Sequence, residues 1–235
     1  MDIDAISGLL FDKDGTLIDF RDTWDAWAGD LIVTLSDGDQ EKIASLATSM
    51  RYNFETQSFL ADSPIIAGTA HEAAECVARG LPGRNVNELE DIIADAAAKA
   101  TMAPVVPLAP LLKGFSASGL KLGVATNDAE DVARSNLCSL GVQDAFDFIA
   151  GFDSGYGGKP DPGMVLAFCN EMGLPPKRCA MVGDSRHDLL AARRAGCVSV
   201  GVLTGISEAT DLKDLADVIL PDIGHLPVWL RGDHI

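Results

Sequence analysis

The sequence predicts an α/β fold, a parallel sheet with helices on both faces, carrying an all-helical segment inserted after the first strand. Three observations lead there. From Leu120 onward, apolar runs of strand length alternate with helical periodicity, and the helices stop at Gly141, Gly173 and Gly196. Such alternation implies parallel strands joined by crossover helices. Ahead of it, residues 19–102 show helical patterns without a strand pattern. Ahead of those, residues 6–11 form a lone apolar run of the kind that is buried on both faces of a sheet.

Within the insert, residues 22–35 and 39–50 read as helices, with Trp24, Trp27, Leu31 and Leu35 on one stripe. Residues 51–64 look irregular. Helices are expected again over 68–79 and 87–100, the second opening on a capping box of Asn87 and Glu90. Pro104, Pro107 and Pro110 mark the return to the core. The expected units are therefore residues 1–18 with 106–235 as the core, and 19–105 as the insert. In the core, strands are expected at 120–126, 146–151, 179–182 and 198–203, with helices at 129–140, 162–172 and 188–195.

Charge narrows the partners. With 35 acids against 18 bases, the net charge of −17 repels nucleic acid and anionic membrane, so neither is an expected partner. A small anionic substrate is compatible provided that local cations gather it. No apolar run approaches the ~18 residues of a membrane span, and Met1-Asp2-Ile3-Asp4 lacks the basic start of a signal peptide. The five cysteines form no Cys-x-x-Cys pair and are expected to be buried, reduced thiols in a cytoplasmic protein. Monomer and dimer both stay open.

The chemistry gathers at strand ends. The first strand finishes in Asp12-Lys13-Asp14-Gly15-Thr16. Open α/β sheets bind ligands at that end of their strands, and buried acids are costly unless a cation or ligand uses them. An acidic surface turn is the competing reading. An EF-hand is a poor fit, since its glycine is the sixth residue of the loop and Gly15 is the fourth. The strand ending in Thr126-Asn127-Asp128 puts a hydroxyl and backbone N–H groups ahead of a helix, which suits an anion or simply an N-cap. In Gly157-Gly158-Lys159-Pro160-Asp161-Pro162, rigid prolines and glycines could hold a lysine amine at a fixed point, although a loop lysine is commonly just solvated. Finally, Gly183-Asp184-Ser185-Arg186-His187-Asp188 opens a helix with two acids four apart, able to face one cleft. Ser185, Arg186 and His187 are expected to face solvent. Together the acids suggest a hard divalent cation, Mg²⁺, which takes few carboxylates and keeps room for substrate oxygens.

In this order the four motifs resemble those of the haloacid dehalogenase superfamily. The insert resembles the small α-helical cap of its phosphoglycolate phosphatase-like and β-phosphoglucomutase-like members. The resemblance implies a Rossmann-like core plus cap and a Mg²⁺-dependent phosphatase acting on a small phosphorylated metabolite. By it, Asp12 is the nucleophile and Asp14 the general acid and base. Thr126, the Asn127 amide and Lys159 bind the phosphoryl group, while Asp12, the Asp14 carbonyl and Asp184 hold the metal. Asp188 orients Lys159 or a metal-bound water. Lys13 departs from the apolar residue more common there, a position where the superfamily's ion pumps also carry lysine. A phosphomutase would use the same residues. A dehalogenase is disfavoured by the acid at position 14, and a phosphonatase by the want of a suitable cap lysine, since Lys42 and Lys99 lie in no obvious loop. A binding protein on a retired hydrolase core is the remote alternative. Substrate choice falls to the cap, where Arg51 and Tyr52 are the leading specificity candidates because they sit in a loop. Phosphoglycolate, a sugar phosphate and a nucleotide all remain open.

Overall fold

The computed structural model describes residues 6–60, 62–66 and 68–232; the Met1–Asp4 stretch considered as a leader lies outside them. Along the chain the strands are β1 (Gly8–Phe11), β2 (Tyr52–Asn53), β3 (Ser58–Phe59), β4 (Lys121–Ala125), β5 (Phe148–Ala150), β6 (Cys179–Gly183), β7 (Val198–Val202) and β8 (Val218–Leu220). Six of them form one parallel sheet in the order β5-β4-β1-β6-β7-β8. The side-chain period of two sends Leu9 and Phe11 into one apolar cluster and Leu10 into the other, so each face is covered. Phe11 is level with Val124 and with Val182. Asp12, Thr126 and Asp184 therefore emerge at one edge of the sheet, at the switch point where the connection from β1 runs to β4 on one side and that from β6 to β7 on the other.

The helices are α1 (Ala26–Ser36, preceded by a π-turn over Arg21–Asp25), α2 (Gln40–Met50), α3 (Ala70–Gly80), α4 (Val86–Ala98), α5 (Leu108–Ala117), α6 (Glu130–Ser139), α7 (Gly163–Glu171), α8 (Arg186–Ala195), α9 (Ala209–Leu212) and α10 (Leu226–Leu230). Those up to α4 lie between β1 and β4. Their apolar faces join the same cluster as Leu9 and Phe11, through residues such as Trp24, Ile32 and Leu46. The two chain connections to this region run side by side. Asp19 N–H donates to the Ala103 carbonyl (2.7 Å) and Val105 N–H to that of Leu17 (3.1 Å).

Several local expectations are corrected. α4 is capped two residues earlier, by Asn85, whose side chain accepts from the Asn87 and Glu88 N–H groups. Glu90 instead meets His71 Nδ1 at 2.7 Å, joining α3 to α4. The capping box belongs to α3, between Thr69 and Glu72. Segment 51–64 is not wholly irregular, because β2 and β3 form a short antiparallel hairpin. Two residues per strand are too few to show a period. α5 begins inside the proline-rich boundary, with Pro110 in its first turn, where an N–H has no partner to lose. Cys76, Cys169, Cys179 and Cys197 are buried thiols, but Cys138 is exposed on the outer face of α6. No helix among the described residues is long and apolar enough to cross a membrane.

Candidate active site

The end of β1 delivers Asp12 into a buried position, and β6 delivers Asp184 beside it. Asp188, in the first turn of α8, completes a trio: one carboxylate oxygen from each of Asp12, Asp184 and Asp188 lies within 4.8 Å of the others. Gly15, with φ +76°, permits this approach. A Cβ there would stand 2.5 Å from the Asp184 carboxyl group. Burial pushes the Asp12 carboxyl up to about 7, with Asp188 and Asp14 adding to the effect and Lys159 opposing it. Burial, Asp12 and Asp188 likewise hold Asp184 well above the ordinary carboxylate range. Asp12 and Asp184, buried this close together, cannot both ionise cheaply without a cation between them.

Lys159 supplies one cation. Its Nζ lies 2.5 Å from Asp12 Oδ1 and 2.7 Å from Asp188 Oδ1, and donates to the Ala125 carbonyl at 2.8 Å. The acids raise its pKa against the downward pull of burial. Asn127 fixes the backbone that carries it: the Asn127 Nδ2 donates to the Lys159 carbonyl (3.0 Å) while Oδ1 accepts the Lys159 N–H (2.7 Å). The Asn127 side chain thus clamps the lysine loop. Thr126 is buried, its hydroxyl accepting the Asp128 N–H at 3.1 Å. Asp188 is secured by Ser185, whose N–H and Oγ donate to its Oδ2 at 3.0 and 2.6 Å. This corrects the expectation of a solvent-facing Ser185. His187 lines the cleft as well, whereas Arg186 turns outward to Asp214.

A second buried cation was not foreseen. Lys13 is fully buried, with Nζ 2.7 Å from Asp14 Oδ2, 3.0 Å from Asp128 Oδ2 and 3.1 Å from Asn136 Oδ1. It also sits over the Trp24 ring, 5.0 Å from the centroid, at cation–π distance. Trp24 Nε1 donates to Asp14 Oδ1 at 2.6 Å. Asp14 is therefore held between a core lysine and an insert tryptophan, outside the Asp12–Asp184–Asp188 trio but in the lining of the same cleft. Burial raises its pKa although Lys13 works against that. The signal was present in the sequence as a lysine inside an apolar strand end and two tryptophans three apart, but the partners are remote in the chain.

From the insert, Phe20, Trp24, Trp27, Phe59, Ile65, Ile66, Ala70, Ala73 and Ile93 close the cleft over these polar groups. Arg51 and Tyr52, the expected specificity residues, do not line it. Arg51 caps α2 and forms an exposed pair with Asp62 at 2.6 Å. Tyr52 is buried, its hydroxyl donating to the Asp25 carbonyl at 2.8 Å. Being in a loop by sequence, they were drawn into the hairpin, which Asp25 anchors from the other side by accepting the Phe59 N–H.

The acidic trio suits a hard cation such as Mg²⁺ in donor type and spacing. Both Asp188 oxygens are already engaged, Oδ1 by Lys159 and Oδ2 by Ser185, whereas Lys159 takes only Oδ1 of Asp12, so Asp12 and Asp184 are the carboxylates best placed to hold it.

A parallel sheet with acids at its central strand ends, a lysine between them and a helical insert above defines a Rossmann-like hydrolase core. Residues 6–196 match the haloacid dehalogenase-like hydrolase family, and the chain belongs to that family. Among curated relatives, the phosphoglycolate phosphatase of Neisseria meningitidis is 41% identical over 111 residues, covering 46% of this chain and 47% of the relative. That of Escherichia coli is 37% identical over 121 residues, covering 51% and 48%. The chain thus spans about half the length of the curated relatives it matches. A crystal structure of a predicted phosphoglycolate phosphatase from Haemophilus somnus superimposes with a TM-score of 0.70 at 21% identity, over 95% of this chain and 97% of that one, a likeness of fold.

Proposed function

We propose that this protein is a Mg²⁺-dependent phosphatase that hydrolyses a small soluble phosphomonoester in the cytoplasm through an aspartyl-phosphate on Asp12. The observation that carries this reading is the buried Asp12 paired with Lys159 at the switch point of the sheet, beside Asp184. An Asp12 oxygen attacks phosphorus as the bond to the leaving oxygen breaks. Asp14 gives that oxygen a proton and later takes one from the water that cleaves the acyl phosphate. Lys159, Thr126 and backbone N–H groups of the Asn127 loop face the charge that the phosphoryl oxygens carry. Mg²⁺, when bound by Asp12, Asp184 and the Asp14 carbonyl, supplies further positive charge to those oxygens. Residues 19–105 act as a cap over the core formed by 1–18 and 106–235, and the paired connections at Leu17–Asp19 and Ala103–Val105 are where it hinges.

Phosphoglycolate, which the relatives' names specify, is the reference substrate. Purified protein should release inorganic phosphate from it or from other phosphorylated metabolites with Mg²⁺, and lose that activity in excess EDTA. Full activity in EDTA would remove the metal from the reading. Substrate consumption without phosphate release would indicate a mutase.

A further inference from the structure

The cleft has two chemically different walls. Its floor holds Asp12, Asp14, Asp128 and Asp184, whereas the insert contributes apolar side chains almost throughout. Among the described residues of the lining there is one lysine, Lys159, and no arginine; the one histidine, His187, comes from α8 of the core. Lys159 is engaged by Asp12 and Asp188, and Lys13, behind the floor, by Asp14 and Asp128. The start of α3 also reaches the cleft, and a helix N-terminus can attract an anion. There the Glu72 carboxylate already accepts the Thr69 N–H at 2.7 Å, so the place is taken by an acid. A leaving group bearing a second negative charge would meet four carboxylates and a wall without a charged partner, at a desolvation cost that no described residue of this lining offsets.

Among the described residues, the same wall carries one buried polar side-chain atom without a partner. Trp24 and Trp27 stand three residues apart with their rings in edge contact, 5.3 Å between centroids. Trp24 Nε1 is engaged by Asp14. Trp27 Nε1 is buried without an acceptor among the described residues, and its ring lines the cleft. Buried donors are rarely left in that state, and a ligand acceptor would relieve it.

We propose that the substrate of this site is a phosphomonoester whose leaving group is uncharged and largely apolar and carries a hydrogen-bond acceptor for Trp27 Nε1. This rests on the phosphatase reading and narrows it, away from phosphoglycolate itself. The test compares kcat/KM of the Mg²⁺-loaded protein on phosphoglycolate, its methyl ester and butyl phosphate, with p-nitrophenyl phosphate as a general reporter. The ester is expected to exceed phosphoglycolate by at least about tenfold, as the charge penalty requires. Trp27→Phe is expected to lower the ratio of ester to butyl phosphate by about two- to tenfold, the worth of one hydrogen bond. Phosphoglycolate turned over better than its ester would overturn the charge argument, and an unaltered ratio in Trp27→Phe would overturn the acceptor. If that variant does not fold, the wild-type ranking of the ester above both phosphoglycolate and butyl phosphate still decides. Activity on p-nitrophenyl phosphate with none on the other three also counts against the proposal. No phosphate release from any of the four counts instead against the phosphatase reading.

Discussion

The core's sheet edge and the helical insert bury polar groups on different terms. Among the described residues, the core buries Asp12, Lys13, Lys159, Asp184 and Asp188, while the insert buries one charged side chain, Asp25. Asp25 accepts the Phe59 N–H and serves the hairpin. The core charges instead form two linked ion-pair groups, one around Lys159 and one around Lys13, with surplus acid in each. A fold tolerates such an excess where a cation or substrate completes it. The contrast assigns chemistry to the sheet edge and enclosure to the insert. Four substitutions test it.

The largest effect is expected at the nucleophile. Asp12→Asn should lower kcat by at least about 10³-fold while the circular dichroism spectrum is retained, because covalent attack needs the carboxylate. A substantial residual rate would move the nucleophile elsewhere.

Lys13→Met comes next, since it leaves the half-buried Asp14 and Asp128 beside each other without their fully buried cation. A loss of about 3 kcal/mol in urea unfolding is expected, as for other broken buried pairs. kcat should fall with it, through a misplaced Asp14. A variant as stable as wild type would mean that the two acids shed their charge by taking up protons.

Asp184→Asn separates metal binding from folding. In the folded protein Asp12 keeps its proton up to about 7, whereas an unfolded aspartate releases it near 3.8. The native state therefore binds more protons between those values, and in EDTA the wild-type Tm should fall as pH rises through that window. Mg²⁺ affinity should rise over the same range, because the metal needs ionised carboxylates. Asp184→Asn removes one of the crowded acids. It should be inactive, melt no lower than wild type in EDTA, and gain little from added Mg²⁺. A melting point several degrees lower without metal would make Asp184 a structural partner.

The smallest effect belongs to the insert's surface. Arg51→Ala breaks an exposed pair with Asp62 and should leave both kcat/KM and Tm within experimental error. A marked rise in KM would restore Arg51 as a substrate contact.

By itself the sequence determined the parallel sheet, the helical insert and the positions of Asp12, Asp14, Thr126, Lys159, Asp184 and Asp188. These are local matters: a buried strand has a readable composition, and an acid or lysine just past its end has few other reasons to be there. Tertiary structure alone decided which polar groups meet. Lys13 reaches Asn136 across 123 positions, and Asn127 clamps Lys159 across 32. Spacing along a chain carries no record of contacts made by strands brought side by side. It likewise decided that Trp24 and Trp27 face the cleft while Arg51 and Tyr52 do not. A helical stripe states which side chains share a face, and only packing against the sheet edge states what that face meets.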